Sequence, residues 1–217
     1  MRLRIAALAL LATTLSAAPA QASTQFTFVN GGSAIAFGFY VGPYNGKEGV
    51  PPGVDVTLNC VDFFHNVTNN QTWSANISSI FTGAGIGTDT RWASVSAYKE
   101  AAWLTTQYAG ASNADIADIQ ATIWNLFPGV QPAGHPNKPT PSSSVWADAA
   151  AAHAGDAMNG FYVVTDVNKN DPNSVQEFII QDNSGSLVVT ATPEPASLVL
   201  LGTGLIGLVG VSVRRKK

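Results

Sequence analysis

The chain has 217 residues, 46% of them hydrophobic and 12% charged, with a formal net charge of −3. That apolar share excludes a disordered polyampholyte, and the acidic balance excludes a protein built to neutralise nucleic-acid phosphates. Cys60 is the sole cysteine, which excludes an internal disulfide framework.

Residues 1–22 open with Arg2 and Arg4, run apolar over 5–15 and end on small residues around Ala20-Gln21-Ala22. This order predicts a secretory signal peptide cut after Ala22, because the apolar run is far shorter than the ~20 residues of a spanning helix. Residues 26–40 are aromatic, β-branched and glycine-rich, which predicts two strands about a turn at Asn30-Gly31-Gly32. Residues 42–53 read as a Gly- and Pro-rich loop. Over 54–60, Val54, Val56, Leu58 and Cys60 alternate with Asp55, Thr57 and Asn59, the clearest strand pattern in the chain. Another strand is expected over 72–81.

The middle is helical in composition. A first helix is expected over 92–108. A second starts at Ser112 with Asp115 in a capping-box-like arrangement. Ile116, Ile119, Ile123, Trp124 and Phe127 then recur at helical spacing, and Pro128-Gly129 ends it. Five prolines make 128–143 a loop. A short alanine-rich helix fits 145–153, and 161–165, 177–180 and 187–190 read as closing strands. Strands at both ends with helices between predict an α+β fold, a β-sandwich-like domain over 23–192 with an inserted helical segment. That domain holds five cations against thirteen acids, a net charge of −8, so neither nucleic acid nor anionic lipid is an expected partner.

Residues 193–217 begin Pro193-Glu194-Pro195, continue uncharged over 196–213 and end Arg214-Arg215-Lys216-Lys217. Eighteen helical residues span ~27 Å, enough for a hydrocarbon core. A C-terminal transmembrane helix over 196–213 is therefore expected, with the basic stop held cytoplasmic.

Two residues stand out chemically. Alternation puts Cys60 on the core face of its strand. Gln120 lies four residues after Ile116 and four before Trp124, inside an apolar stripe where an unpartnered amide costs ~1–3 kcal/mol. Condensation of the Cys60 thiol with the Gln120 side-chain carbonyl, releasing ammonia, would form a thioester. Amines attack such an acyl group readily, and it survives only where water is excluded, here by Phe63, Phe64 and Trp124.

The segments Leu58-Asn59-Cys60-Val61-Asp62 and Ile119-Gln120-Ala121-Thr122-Ile123-Trp124 resemble the two motifs of bacterial thioester domains. The stretch Tyr98-Lys99-Glu100-Ala101-Ala102-Trp103-Leu104 is similar to the helix that precedes the second motif. The resemblance spans about residues 26–182. It implies covalent coupling to amines on a surface or matrix, with Cys60 as leaving group, Gln120 as acyl donor, and Asp62 and His65 as polar neighbours. Coupling once per molecule is attachment, not enzymatic turnover, and implies no cofactor. The tail resembles the PEP-CTERM sorting signal, which implies a Gram-negative cell, export through the inner membrane, an exosortase as processing partner, and association with exopolysaccharide and biofilm.

Other readings compete. Cys60 could be an inert buried thiol in a structural matrix protein. A Cys-dependent hydrolase would draw on His65, His135 or His153, but a core-facing thiol with no helix N-terminus beside it is a poor free nucleophile. The three histidines lack metal-ligand spacing, and Asp166, Asn168, Asn170 and Asp171 read as a solvated turn, not a calcium loop.

Overall fold

The computed structural model describes residues 23–182. The expected signal peptide, the strand over 187–190, the sorting tripeptide, the spanning helix and the basic stop lie outside the described residues. Among the described helices, none is long and apolar enough to cross a membrane.

Eight strands and three helices follow in chain order: β1 (Thr24–Asn30), β2 (Ile35–Ala36), β3 (Phe39–Tyr40), β4 (Pro43–Glu48), β5 (Val54–Cys60), β6 (Thr72–Ser79), α1 (Val95–Thr106), α2 (Asn113–Leu126), α3 (Val145–Ala151), β7 (Phe161–Asp166) and β8 (Phe178–Gln181). Six strands form a closed barrel in the order β1-β4-β5-β8-β7-β6, while β2 and β3 pair as a separate ribbon. The expectation of an α+β sandwich is therefore corrected: the fold is mostly β, a closed barrel with three short helices. The reason is physical. A strand buries one face in a sandwich and in a barrel alike, so alternation cannot separate them. Closure is decided by long-range pairing. Phe26 of β1 faces Glu48 on one side and Trp73 on the other. Cys60 of β5 faces Phe178 of β8.

The loop expected over 42–53 contains β4. Its sequence Pro43-Tyr44-Asn45-Gly46-Lys47-Glu48 has little β propensity, but each feature has a structural cause. Pro43 stands at the first strand position, where proline is tolerated. Gly46 faces Leu58 so closely that a Cβ there would lie 2.5 Å from Leu58 Cδ1.

In β5 the expected inward face holds only at its end. Val54 is 71% exposed, whereas Leu58, Asn59 and Cys60 are all buried. Both faces are covered there because two cores meet at that level. One fills the barrel with Phe26, Phe28, Tyr44, Leu58, Cys60 and Phe178. The other lies between the helices and the barrel wall, where Tyr98, Ile119, Ile123 and Phe127 meet Val163 and Ile179. Fully burying each such side chain stabilises the fold by ~1.5–3 kcal/mol.

Helix α2 starts where its cap predicts. Ser112 accepts from the Asp115 backbone N–H at 3.2 Å and donates to the Asp115 carboxylate at 2.6 Å. It ends at Leu126, with Phe127 extended before Pro128. Most of its apolar face packs into the helical core, but Trp124 belongs to the barrel core instead. This crossing carries the neighbouring Gln120 to the end of β5.

Candidate functional site

Cys60 is the last residue of β5 and 2% exposed; Gln120, on the middle of α2, is 0% exposed. The fold brings them together. The Gln120 amide nitrogen donates to the Cys60 backbone carbonyl at 2.8 Å. One turn further along α2, Trp124 Nε1 donates to Cys60 Sγ at 3.5 Å, and the thiol itself donates to the Asp62 carbonyl at 3.2 Å.

The Gln120 oxygen receives two donors. The Gly42 N–H reaches Oε1 at 3.2 Å and the Tyr108 hydroxyl reaches it at 2.9 Å. Gly42 has φ +85°, a left-handed conformation that glycine adopts without strain, and a Cβ there would meet Ile116 Cγ2 at 3.0 Å. Burial pushes the Tyr108 hydroxyl well above its ordinary pKa, so it keeps its proton and remains a donor.

Burial also pushes the Cys60 thiol up to about 12, against the lowering effect of the Trp124 N–H; the Asp62 carboxylate adds to the rise. At neutral pH the sulfur is a thiol, not a thiolate. No histidine activates it. His65 Nδ1 pairs with Asp62 Oδ2 at 2.8 Å, and Arg91 Nε pairs with the same oxygen at 2.8 Å. Asp62 Oδ1 accepts from the Phe64 N–H at 3.0 Å, which fixes the turn following the cysteine.

The aromatic wall is close around the sulfur. Phe63 and Trp124 have ring centroids 4.9 Å apart, and Phe39 of β3 packs on Phe63 at 5.3 Å. A small cavity of about 130 Å³ reaches Cys60, though not Gln120, between Phe39, Tyr44, Phe63, His65 and Trp124. Phe64 does not line it. That ring backs the wall from outside, edge-on to Phe63 at 5.5 Å and to His135 at 5.5 Å, with Lys138 Nζ 5.0 Å above its face. A wider groove of about 630 Å³ runs along β4 and β5 past Tyr108 but includes neither Cys60 nor Gln120.

Behind the Cys60 turn lies a polar layer. Arg91 NH2 donates to Ser174 Oγ at 2.7 Å and to the Val175 carbonyl at 2.9 Å, and its backbone N–H donates to Glu177 Oε2 at 2.9 Å. Glu177, fully buried, also accepts from Thr165 Oγ1 at 2.6 Å and from the Tyr98 hydroxyl. Burial raises its pKa to about 7 despite these donors.

Sequence reasoning singled out Cys60, Gln120, Asp62, Phe63, His65 and Trp124, which the fold gathers, and Phe64, which packs on Phe63 one layer further out. It missed Gly42, Tyr108, Arg91 and Glu177. Glu177 alone left a local signal, an acid directly before the apolar run Phe178-Ile179-Ile180. Gly42 and Tyr108 left none, since each matters only through a contact with a residue distant in sequence.

Comparison with known proteins places a PEP-CTERM protein-sorting motif at residues 191–216. No curated protein and no solved structure matches the chain. The motif defines an exported, cell-envelope-associated bacterial protein with an exosortase as processing partner. The likeness to thioester domains rests on the Cys60 and Gln120 segments and the Tyr98–Leu104 stretch, with no support from these comparisons.

Proposed function

We propose that this exported protein closes an internal thioester between Cys60 and Gln120 and spends it once, coupling covalently to a primary amine on a surface or matrix. The observation that carries this reading is the docking of the Gln120 amide on Cys60, at 2.8 Å from amide nitrogen to backbone carbonyl, inside an aromatic-walled and buried site. Chemistry of this kind needs a dry interior, because water competes with the amine for the activated acyl group. The small volume of the cavity at Cys60, about 130 Å³, favours a small amine. The acidic balance of residues 23–192, at −8, favours approach of a cationic amine-bearing partner. The sorting tail is read as that of a Gram-negative envelope protein, removed by the exosortase after export.

A second reading has its own support. Both polar atoms of the Gln120 side chain are hydrogen-bonded, so the amide is satisfied without any reaction. Cys60 would then be an inert core thiol in a structural protein of the exopolysaccharide or biofilm matrix. A Cys-dependent hydrolase is disfavoured by a thiol held protonated and by His65 being committed to Asp62.

Methylamine separates the two main readings. Incubation of the exported protein should convert Gln120 to its N-methyl amide and free one thiol per chain, as located by peptide mass spectrometry. An unmodified Gln120 with a thiol already free before treatment would support the inert reading.

A further inference from the structure

We propose that the Tyr108 hydroxyl and the Gly42 N–H form an oxyanion cradle on Gln120 Oε1, stabilising the tetrahedral intermediates through which the thioester is made and opened. This rests on the thioester reading and identifies the groups that would drive it. Two donors converge on one amide oxygen, at 2.9 Å from Tyr108 and 3.2 Å from Gly42. The amide nitrogen donates at 2.8 Å to the backbone carbonyl of Cys60, which fixes the plane of the group against the residue that carries the sulfur. Each partner comes from a different element. Tyr108 follows α1, Gly42 precedes β4, Gln120 lies on α2 and Cys60 ends β5. A buried amide oxygen has two lone pairs, and here both are filled. A pair aimed at the atom where charge develops has a chemical use in addition, because preorganised donors act most strongly where water is absent.

The steps balance. Cys60 Sγ attacks Gln120 Cδ, a C–S bond forms, and the carbonyl π electrons move onto Oε1 between Tyr108 and Gly42. Collapse breaks the Cδ–Nε2 bond, and the nitrogen leaves as ammonia carrying the proton of the thiol. When an amine enters, its nitrogen attacks the same carbon and Oε1 again takes the charge. The C–S bond then breaks, one amine proton passes to sulfur, and the product is a substituted amide on Gln120 with the Cys60 thiol restored.

The test uses the exported protein and follows methylamine uptake by intact-mass spectrometry. Tyr108→Phe keeps the ring and removes one donor, so uptake should slow about 10²-fold, the loss typical of one oxyanion donor, with the melting temperature little changed. A folded Tyr108→Phe protein that never loses ammonia, when the wild type does, supports the cradle at the forming step. Uptake at the wild-type rate overturns it. If Tyr108→Phe does not fold, 3-fluorotyrosine placed at 108 keeps the packing and gives a more acidic donor. Uptake should then quicken, and an unchanged or slower rate overturns the cradle. A wild-type protein with its full sequence mass and no methylamine uptake overturns the thioester reading itself, whereas a reactive wild type with an equally reactive Tyr108→Phe overturns the cradle alone.

Discussion

Glu177 is a carboxylic acid with 0% exposure, facing the Arg91 backbone N–H, Thr165 and Tyr98 but no paired cation. Burial raises its pKa from 4.5 to about 7, so the folded chain binds its proton more tightly than the unfolded chain does. The stability from that proton is full below pH 4.5 and is lost as pH rises through about 7, because only the unfolded state then ionises without penalty. Glu177→Gln removes the titration. Urea melts from pH 4 to 8 should show the wild type losing stability relative to the variant as pH rises, and parallel curves would contradict the assignment. Burial acts on Cys60 in the same direction. Its thiol, pushed up to about 12, is protonated throughout that range, so any reaction must be concerted with proton transfer or follow thioester formation.

At the scale of elements, the site is made by β5 ending where α2 crosses from the helical core to the barrel core. Strand β4 closes the barrel beside it, and its Gly46 lies against Leu58. Gly46→Ala should lower the unfolding free energy by about 1–3 kcal/mol through overpacking. Chemical denaturation measures this, and an unchanged midpoint would contradict the close approach. The legibility of the sequence divides along the same line. Helix α2 was readable because its cap, its 3.6-residue stripe and its proline stop are all local. Cys60 and Gln120 were readable because each breaks a local expectation, a lone thiol in a secreted chain and an amide in an apolar stripe. Strand β4 was hidden because Pro43 and Gly46 look like loop residues until β5 is set beside them, Asn59 opposite Pro43 and the Leu58 side chain over Gly46. Barrel closure and the donors Tyr108 and Gly42 were hidden for a related reason: a hydrogen bond between residues 78 apart, as from Gly42 to Gln120, has no periodic trace.

The whole molecule joins a reactive-site candidate to an address. Three of the five cations in residues 23–192 are spent on loops around the site. Arg91 holds Asp62, Lys138 donates to the Trp124 carbonyl at 2.9 Å, and Lys169 donates to the Thr90 carbonyl at 2.7 Å. Acids outnumber cations thirteen to five over residues 23–192, a balance that favours the approach of cations. The PEP-CTERM motif at 191–216 supplies the sorting step. Truncation before residue 191 should leave the barrel exported but no longer retained at the envelope. Fractionation checks this, and unchanged retention of the truncated chain would contradict sorting through that motif.

Intact mass is the most direct measurement of whether sulfur and amide react inside this barrel. The exported wild-type protein should weigh one ammonia less than its processed sequence, while Cys60→Ala and Gln120→Ala should each show their full sequence mass. A wild-type chain at full mass, with one thiol titrating on unfolding, would contradict the account and leave Cys60 an ordinary part of the core.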